Sequence, residues 1–289
     1  MDEGLRRELV EAQRGELTEH YVYLALARRE RDEGNRTVLE QIAADEKRHY
    51  EFWASQTGVR PGVRVWQLWK YKAMARVLGV TFTIKLMEQG EEGAQARYAE
   101  VARTIPEAEA VMRDEQEHEN ELVKMVDEER LRYVGSVVLG LNDALVELTG
   151  ALAGFTLALQ QSRLIAVIGL ITGVAAALSM AASEYLSTKT DEGDTRSPVK
   201  AAVYTGLAYI ATVGVLICPF LLLGEPLLAL GLTLTGALGI ILAFTYYLSV
   251  ARGVGFWRRF LEMAGLSLGV AGVSFGIGWL LRVFVGVEV

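Results

Sequence analysis

The sequence predicts an all-α protein in two parts, an acidic four-helix domain over residues 1–130 followed by five membrane-spanning helices over residues 131–289. Three observations carry this reading. Residues 1–130 hold 27 of the 36 acidic and 20 of the 29 basic side chains, a net charge of −7, whereas the last 159 residues hold nine of each. Ala, Leu, Glu, Arg and Gln dominate the first part, with breakers near Gly34-Asn35, Gly58 to Gly62 and Pro106. The second part is a succession of apolar runs, each long enough to supply the roughly 20 helical residues that cross a hydrocarbon core about 30 Å thick. An acidic first part excludes nucleic acid as a partner, since phosphate neutralisation needs a basic surface. The single Cys218 builds neither a disulfide framework nor a zinc knuckle.

In the first part the breakers define helices over 3–32, 36–56, 62–104 and 107–130. The third opens with VRVWQLWKYKAMARVLGVTFTIKL, in which Trp66, Trp69 and Tyr71 alternate with Lys70, Lys72 and Arg76. That composition suits a lipid interface, and it suits equally well packing against the bundle or a second subunit.

In the second part the apolar runs fall at 133–159, 164–187, 199–223, 226–250 and 263–285. Polar or Pro- and Gly-containing breaks separate them, and small residues such as Gly150 and Gly154 allow close helix packing in lipid. Five spans put the two ends of the membrane domain on opposite sides. Arg130, Arg132, Lys189, Arg196, Lys200, Arg252, Arg258 and Arg259 flank one side, against Arg163 and Arg282 on the other. Basic residues collect on the cytoplasmic face, so the acidic domain is expected in the cytoplasm. The chain opens with charged MDEGLRRELVEAQRGELTEH, which is no signal peptide, and the first span is expected to direct insertion into the cytoplasmic membrane.

The acidic part contains a repeat made of metal-ligand residue types. Glu16 is followed seven residues later by Tyr23, and Glu91 by Tyr98 at the same distance. Each pair precedes a Glu-x-x-His, namely Glu46 to His49 and Glu115 to His118. Three residues advance a helix by about 300°, so a Glu and a His at i and i+3 lie on one face and reach one point. Two helices giving a Glu and two giving Glu-x-x-His is the ligand pattern of ferritin-like di-iron and di-manganese bundles. Four carboxylates neutralise two divalent ions, and two imidazoles favour iron or manganese over magnesium. The metal set expected is therefore Glu16, Glu46, His49, Glu91, Glu115 and His118, binding iron with manganese as the alternative. His20 is expected at the surface or behind the ligands.

Ionisable residues deep in a span are costly and point to function. The first span carries Asp143 and Glu147 at i and i+4, and the second carries Met180 and Glu184 at the same spacing. Carboxylates with one thioether suit a transition metal, and carboxylates in low dielectric exchange a metal for protons. These four residues are the expected transport pathway.

The motifs GELTEHYVY, DEKRH, GEEGAQARY and DEQEH resemble the rubrerythrin branch of the ferritin-like superfamily. LNDALVELTGALAG and LSMAASEYLSTKT resemble the first two helices of vacuolar iron transporters. The combination is similar to membrane-bound ferritins, the erythrin-vacuolar iron transporter proteins. The resemblance implies a homodimeric Fe(II)/proton antiporter that exports iron from the cytosol, with Asp143 and Met180 at the family's translocation-path positions. It also implies a cytoplasmic di-iron domain that captures and oxidises iron. Two departures stand out. The connection between the second and third spans has only about eleven residues, where the transporters carry a metal-binding insertion. One cysteine also cannot form the rubredoxin domain of typical rubrerythrins. The alternative expectation is a membrane-anchored ferroxidase or peroxide scavenger without transport.

Overall fold

The computed structural model describes residues 3–87, 105–124, 133–191 and 193–285. The chain divides into two compact units, Met1–Glu128 and Glu129–Val289. All regular structure among the described residues is helical.

In the first unit, α1 (Glu3–Ala27) and α2 (Glu33–Thr57) pack side by side. The sequence predicts α1 to run to residue 32, but it stops at Ala27. Glu30 accepts the backbone N–H groups of Arg31 (2.7 Å) and Asp32 (3.0 Å), and Asp32 then caps α2 by accepting from the Asn35 N–H at 2.9 Å. Local side-chain bonds of this kind divert the backbone from the helix and start the next one. Gly58 ends α2 in the left-handed conformation, φ 73°. Val22 and Leu26 of α1 meet Leu39 and Ile42 of α2 in the core, and Leu9 meets Trp53 nearby.

The uninterrupted helix predicted over 62–104 is not what forms. Instead α3 (Val65–Val77) ends at Leu78-Gly79, and α4 occupies residues 80–87. Gly79 has φ 100°, a conformation that a residue with a Cβ rarely adopts, so the helix breaks there. Residues 88–104, which include Glu91 and Tyr98, lie outside the described residues, as do residues 125–132 beyond α5 (Ala108–Lys124).

Among the described residues the second unit has five helices long and apolar enough to cross a membrane, making this a multi-pass membrane protein. They are α6 (Val134–Leu159), α7 (Ser162–Thr190), α8 (Pro198–Leu222), α9 (Pro226–Arg252) and α10 (Phe256–Val285). The break expected between the apolar runs 226–250 and 263–285 narrows to residues 253–255. Gly253 (φ 65°) turns the chain, and α10 then begins at once, its first turns supported by an Arg258–Glu262 pair at 3.2 Å. α6 also departs from a plain α-helix, because Ala144–Leu148 is a π-helical turn. Ser267 Oγ of α10 donates to the Leu145 carbonyl of that widened turn at 2.7 Å.

The spans touch backbone to backbone. A Cβ built on Gly140 would collide with the Thr205 carbonyl, and one on Gly278 with the Gly154 carbonyl, so these glycines are sites of close helix approach. Gly239 faces open space. Gly140→Ala is therefore expected to destabilise the detergent-solubilised protein by the overpacking scale of about 1–3 kcal/mol. Gly239→Ala is expected to leave its unfolding midpoint unchanged, as measured by thermal unfolding of the two variants side by side.

Candidate metal centre

Helices α1, α2 and α5 bring Glu16, Glu46, His49 and Glu115 together, each with a ligand atom within 4.8 Å of the others. His49 Nδ1 lies 3.0 Å from Glu115 Oε1 and 3.7 Å from both Glu16 Oε2 and Glu46 Oε2. His118 joins them, its Nδ1 3.5 Å from Glu46 Oε1 and 3.9 Å from Glu115 Oε2. The two imidazole rings stand 5.9 Å apart. Five of the six predicted ligands thus converge, and the sixth, Glu91, lies outside the described residues. His20 is elsewhere, bonded through Nδ1 to the Ala43 carbonyl at 2.6 Å. Tyr23 is buried in the core beside Leu26 and Leu39.

The cluster fits a divalent metal on its own chemistry. Glu46 Oε2, His49 Nδ1 and His118 Nδ1 are buried among one another and, among the described residues, make no hydrogen bond of good geometry, which is costly unless a proton or a cation sits between them. Both imidazoles are oriented for that role. His49 Nε2 lies 3.3 Å from Asp114 Oδ2, and His118 Nε2 lies 3.1 Å from Asp45 Oδ2. An aspartate accepting from Nε2–H leaves the Nδ1 lone pair free for a metal. Each aspartate immediately precedes the Glu of the opposite helix's motif, so the two repeats brace each other. Arg48 pairs with both Asp45 and Asp114 at the rim. Trp53 Nε1 donates to Glu16 Oε1 at 3.2 Å and fixes the carboxylate from α1. The aspartates were readable in the sequence, since both motifs are Asp-Glu-x-x-His; nothing in the sequence marked Trp53.

Without a metal, protons balance the charge. Burial, then the neighbouring Glu115, holds the Glu46 carboxyl well above the usual carboxylate range. Burial also raises Glu115, against the pull of His49. Burial by itself would lower the proton affinity of His49, but Glu115, Glu16 and Glu46 outweigh it and raise it. Groups whose proton affinity is raised on folding stabilise the fold fully below their ordinary values, 4.5 for Glu and 6.5 for His. That stability is lost as pH rises through the shifted values. In chelator, the first unit should therefore unfold at lower temperature at pH 8.5 than at pH 5.5 by Trp fluorescence, and Glu46→Gln should flatten that dependence.

In the second unit the predicted pathway residues occupy two levels. Glu184 of α7 is buried, accepting from Ser136 Oγ of α6 at 2.7 Å and from Arg196 Nη1 at 3.3 Å. Arg196, in the α7–α8 connection, also grips Asp194 through Nε and Nη2 and donates to Ser136 Oγ at 2.8 Å. The Arg196 guanidinium bonded to Asp194 holds that carboxyl below the usual carboxylate range. Tyr133 beside it accepts from the Ser197 N–H at 2.8 Å and stacks on Tyr204. At about 1.5 Å per helical residue, Asp143 and Met180 both lie about 14–15 Å deeper than this end. Asp143 and Met180 are half-buried, while Glu147 is exposed on the single chain and accepts from the Tyr209 hydroxyl at 3.2 Å. Asp143 immediately precedes the π-turn and Glu147 lies within it, so the pair does not share a regular α-helical face, and such turns recur at functional sites. Arg196 and Tyr209 were not singled out from the sequence. No curated protein matches the chain as a whole. Residues 134–196, the segment holding Asp143, Glu147, Met180, Glu184 and Arg196, match the VIT family, the vacuolar iron transporters.

Proposed function

We propose that this protein exports Fe(II), with Mn(II) as an alternative cargo, across the cytoplasmic membrane in exchange for protons. The observation that carries the reading is the VIT match over a segment whose two apolar helices carry three carboxylates, Asp143, Glu147 and the arginine-bound Glu184, together with the thioether of Met180. Asp143, Glu147 and Met180 form the transfer level, and Glu184 the entry. A carboxylate at this depth is neutralised by a cation or by a proton, which couples the two movements. The exposure of Glu147 at mid-span favours a homodimer in which the partner covers this face. Basic residues at the α6, α7 and α8 ends favour a cytoplasmic first unit.

In this reading the first unit is a ferritin-like, rubrerythrin-type domain that captures iron. Glu16, Glu46, His49, Glu115 and His118, with Glu91, would hold two ions. Bound there, a metal pair supplies one-electron Fe(II)/Fe(III) chemistry. The residues themselves position and neutralise: Asp45 and Asp114 orient the imidazoles, and Trp53 orients Glu16. The second reading, a membrane-anchored ferroxidase or peroxide scavenger without transport, draws its support from the same buried cluster.

Proteoliposomes with an imposed pH gradient separate the two. Asp143→Asn is expected to abolish Fe(II) and Mn(II) movement, whereas Glu46→Ala is expected to retain it and to lose ferroxidation; equal transport by Asp143→Asn and the unaltered protein would overturn the transporter. Arg196→Gln frees Glu184 from its resident cation and should lower the half-saturating Mn(II) concentration a few-fold, the scale of a partly exposed ion pair at about 0.2–1 kcal/mol.

A further inference from the structure

Helix α3 is a basic element in an acidic unit, since VWQLWKYKAMARV contains no carboxylate while residues 1–130 carry a net −7. Its two sides are sharply divided. Leu68, Tyr71 and Ala75 pack against the core formed by Val22, Leu26 and Leu39. On the other side Trp66 is 79% and Trp69 67% exposed, with Val65 and Val77 also outward. Lys70, Lys72 and Arg76 are exposed on that same face. Of the alternatives the sequence left open, packing of the two tryptophans against the unit's own core is not what the structure shows. Beside the face lies a cavity of about 370 Å³, floored by Val22, Leu26 and Ala75 and rimmed by Arg28, Arg29 and Lys72.

Indoles beside cations over an apolar floor match the headgroup level of a bilayer, where aromatic rings sit between hydrocarbon and water and basic residues meet lipid phosphate. A bilayer is also always within reach, because the unit is covalently continuous with five membrane-spanning helices. A second copy of the same face is disfavoured, since it would set Arg28, Arg29, Lys70, Lys72 and Arg76 against their own duplicates. We propose that the exposed face of α3 docks on an anionic phospholipid surface, with the neighbouring cavity receiving a headgroup phosphate and the start of its acyl chains.

The test uses the full chain in vesicles, with Cys218→Ser and a nitroxide on Ala73→Cys, a position on the exposed face. Collision rates with oxygen and with a water-soluble nickel chelate report its depth. With phosphatidylglycerol present, the label should be shielded from the chelate several-fold more than in pure phosphatidylcholine. Lys70→Glu with Lys72→Glu should remove that shielding, and millimolar inorganic phosphate should not. Equal chelate access in both lipids, shielding independent of lipid charge, release by free phosphate, or dipolar broadening between labels that signals a second copy would each overturn the proposal.

Discussion

Glutamates buried side by side against two imidazoles are the constraint on which the first unit is organised. Glu16 and Glu46 are each 2% exposed, and Glu115 is drawn in with them. Taking an ionised carboxylate out of water costs several kcal/mol unless it is paired. The Arg48 guanidinium is engaged by Asp45 and Asp114 and sits at the rim. Glu46 and Glu115 face the Nδ1 atoms of two imidazoles at 3.0–3.9 Å, close enough to share protons with them. Proton-loaded and metal-loaded forms are thus two answers to one electrostatic problem. The surrounding fold supplies rigidity for either: Trp53 is fully buried against Glu16, and the early stop of α1 lets α2 return beside it.

The membrane unit meets the same problem with different means at different depths. At the mouth, Glu184 has a resident cation in Arg196 and a hydroxyl donor in Ser136. Deeper, Asp143 precedes a π-turn that contains Glu147, and the phenol of Tyr209 donates to Glu147. Glu184 thus has a fixed charge beside it and Glu147 a neutral donor, and in the proposed reading that difference leaves the inner carboxylates receptive to a mobile cation. Close backbone contacts at Gly140 and Gly154 keep α6 seated against α8 and α10, which holds those carboxylates in place.

Much of this was legible in the chain because the signals are long or repeated. The spans are apolar runs that no soluble helix resembles, and the two Asp-Glu-x-x-His motifs repeat. What escaped was local or reciprocal. The break at Gly79 was hidden because one glycine is tolerated in many helices until its φ turns positive. The π-turn has no composition of its own. The roles of Asp45 and Asp114 exist only between helices, each aspartate serving the other's histidine. Arg196 looked like a cytoplasmic anchor, and its bond to Glu184 depends on a chain reversal between α7 and α8 that residue spacing does not encode. The start of α10 at Phe256 was obscured by its charges, which a helix end at the membrane surface accommodates in i,i+4 pairs.

The central claim is that the buried glutamates and imidazoles of α1, α2 and α5 are built for metal. Diffraction from iron-soaked crystals of the full chain on either side of the iron absorption edge addresses it directly. The account predicts anomalous density enclosed by Glu16, Glu46, His49, Glu115 and His118. Crystals that hold iron elsewhere while this cluster keeps only protons would contradict it.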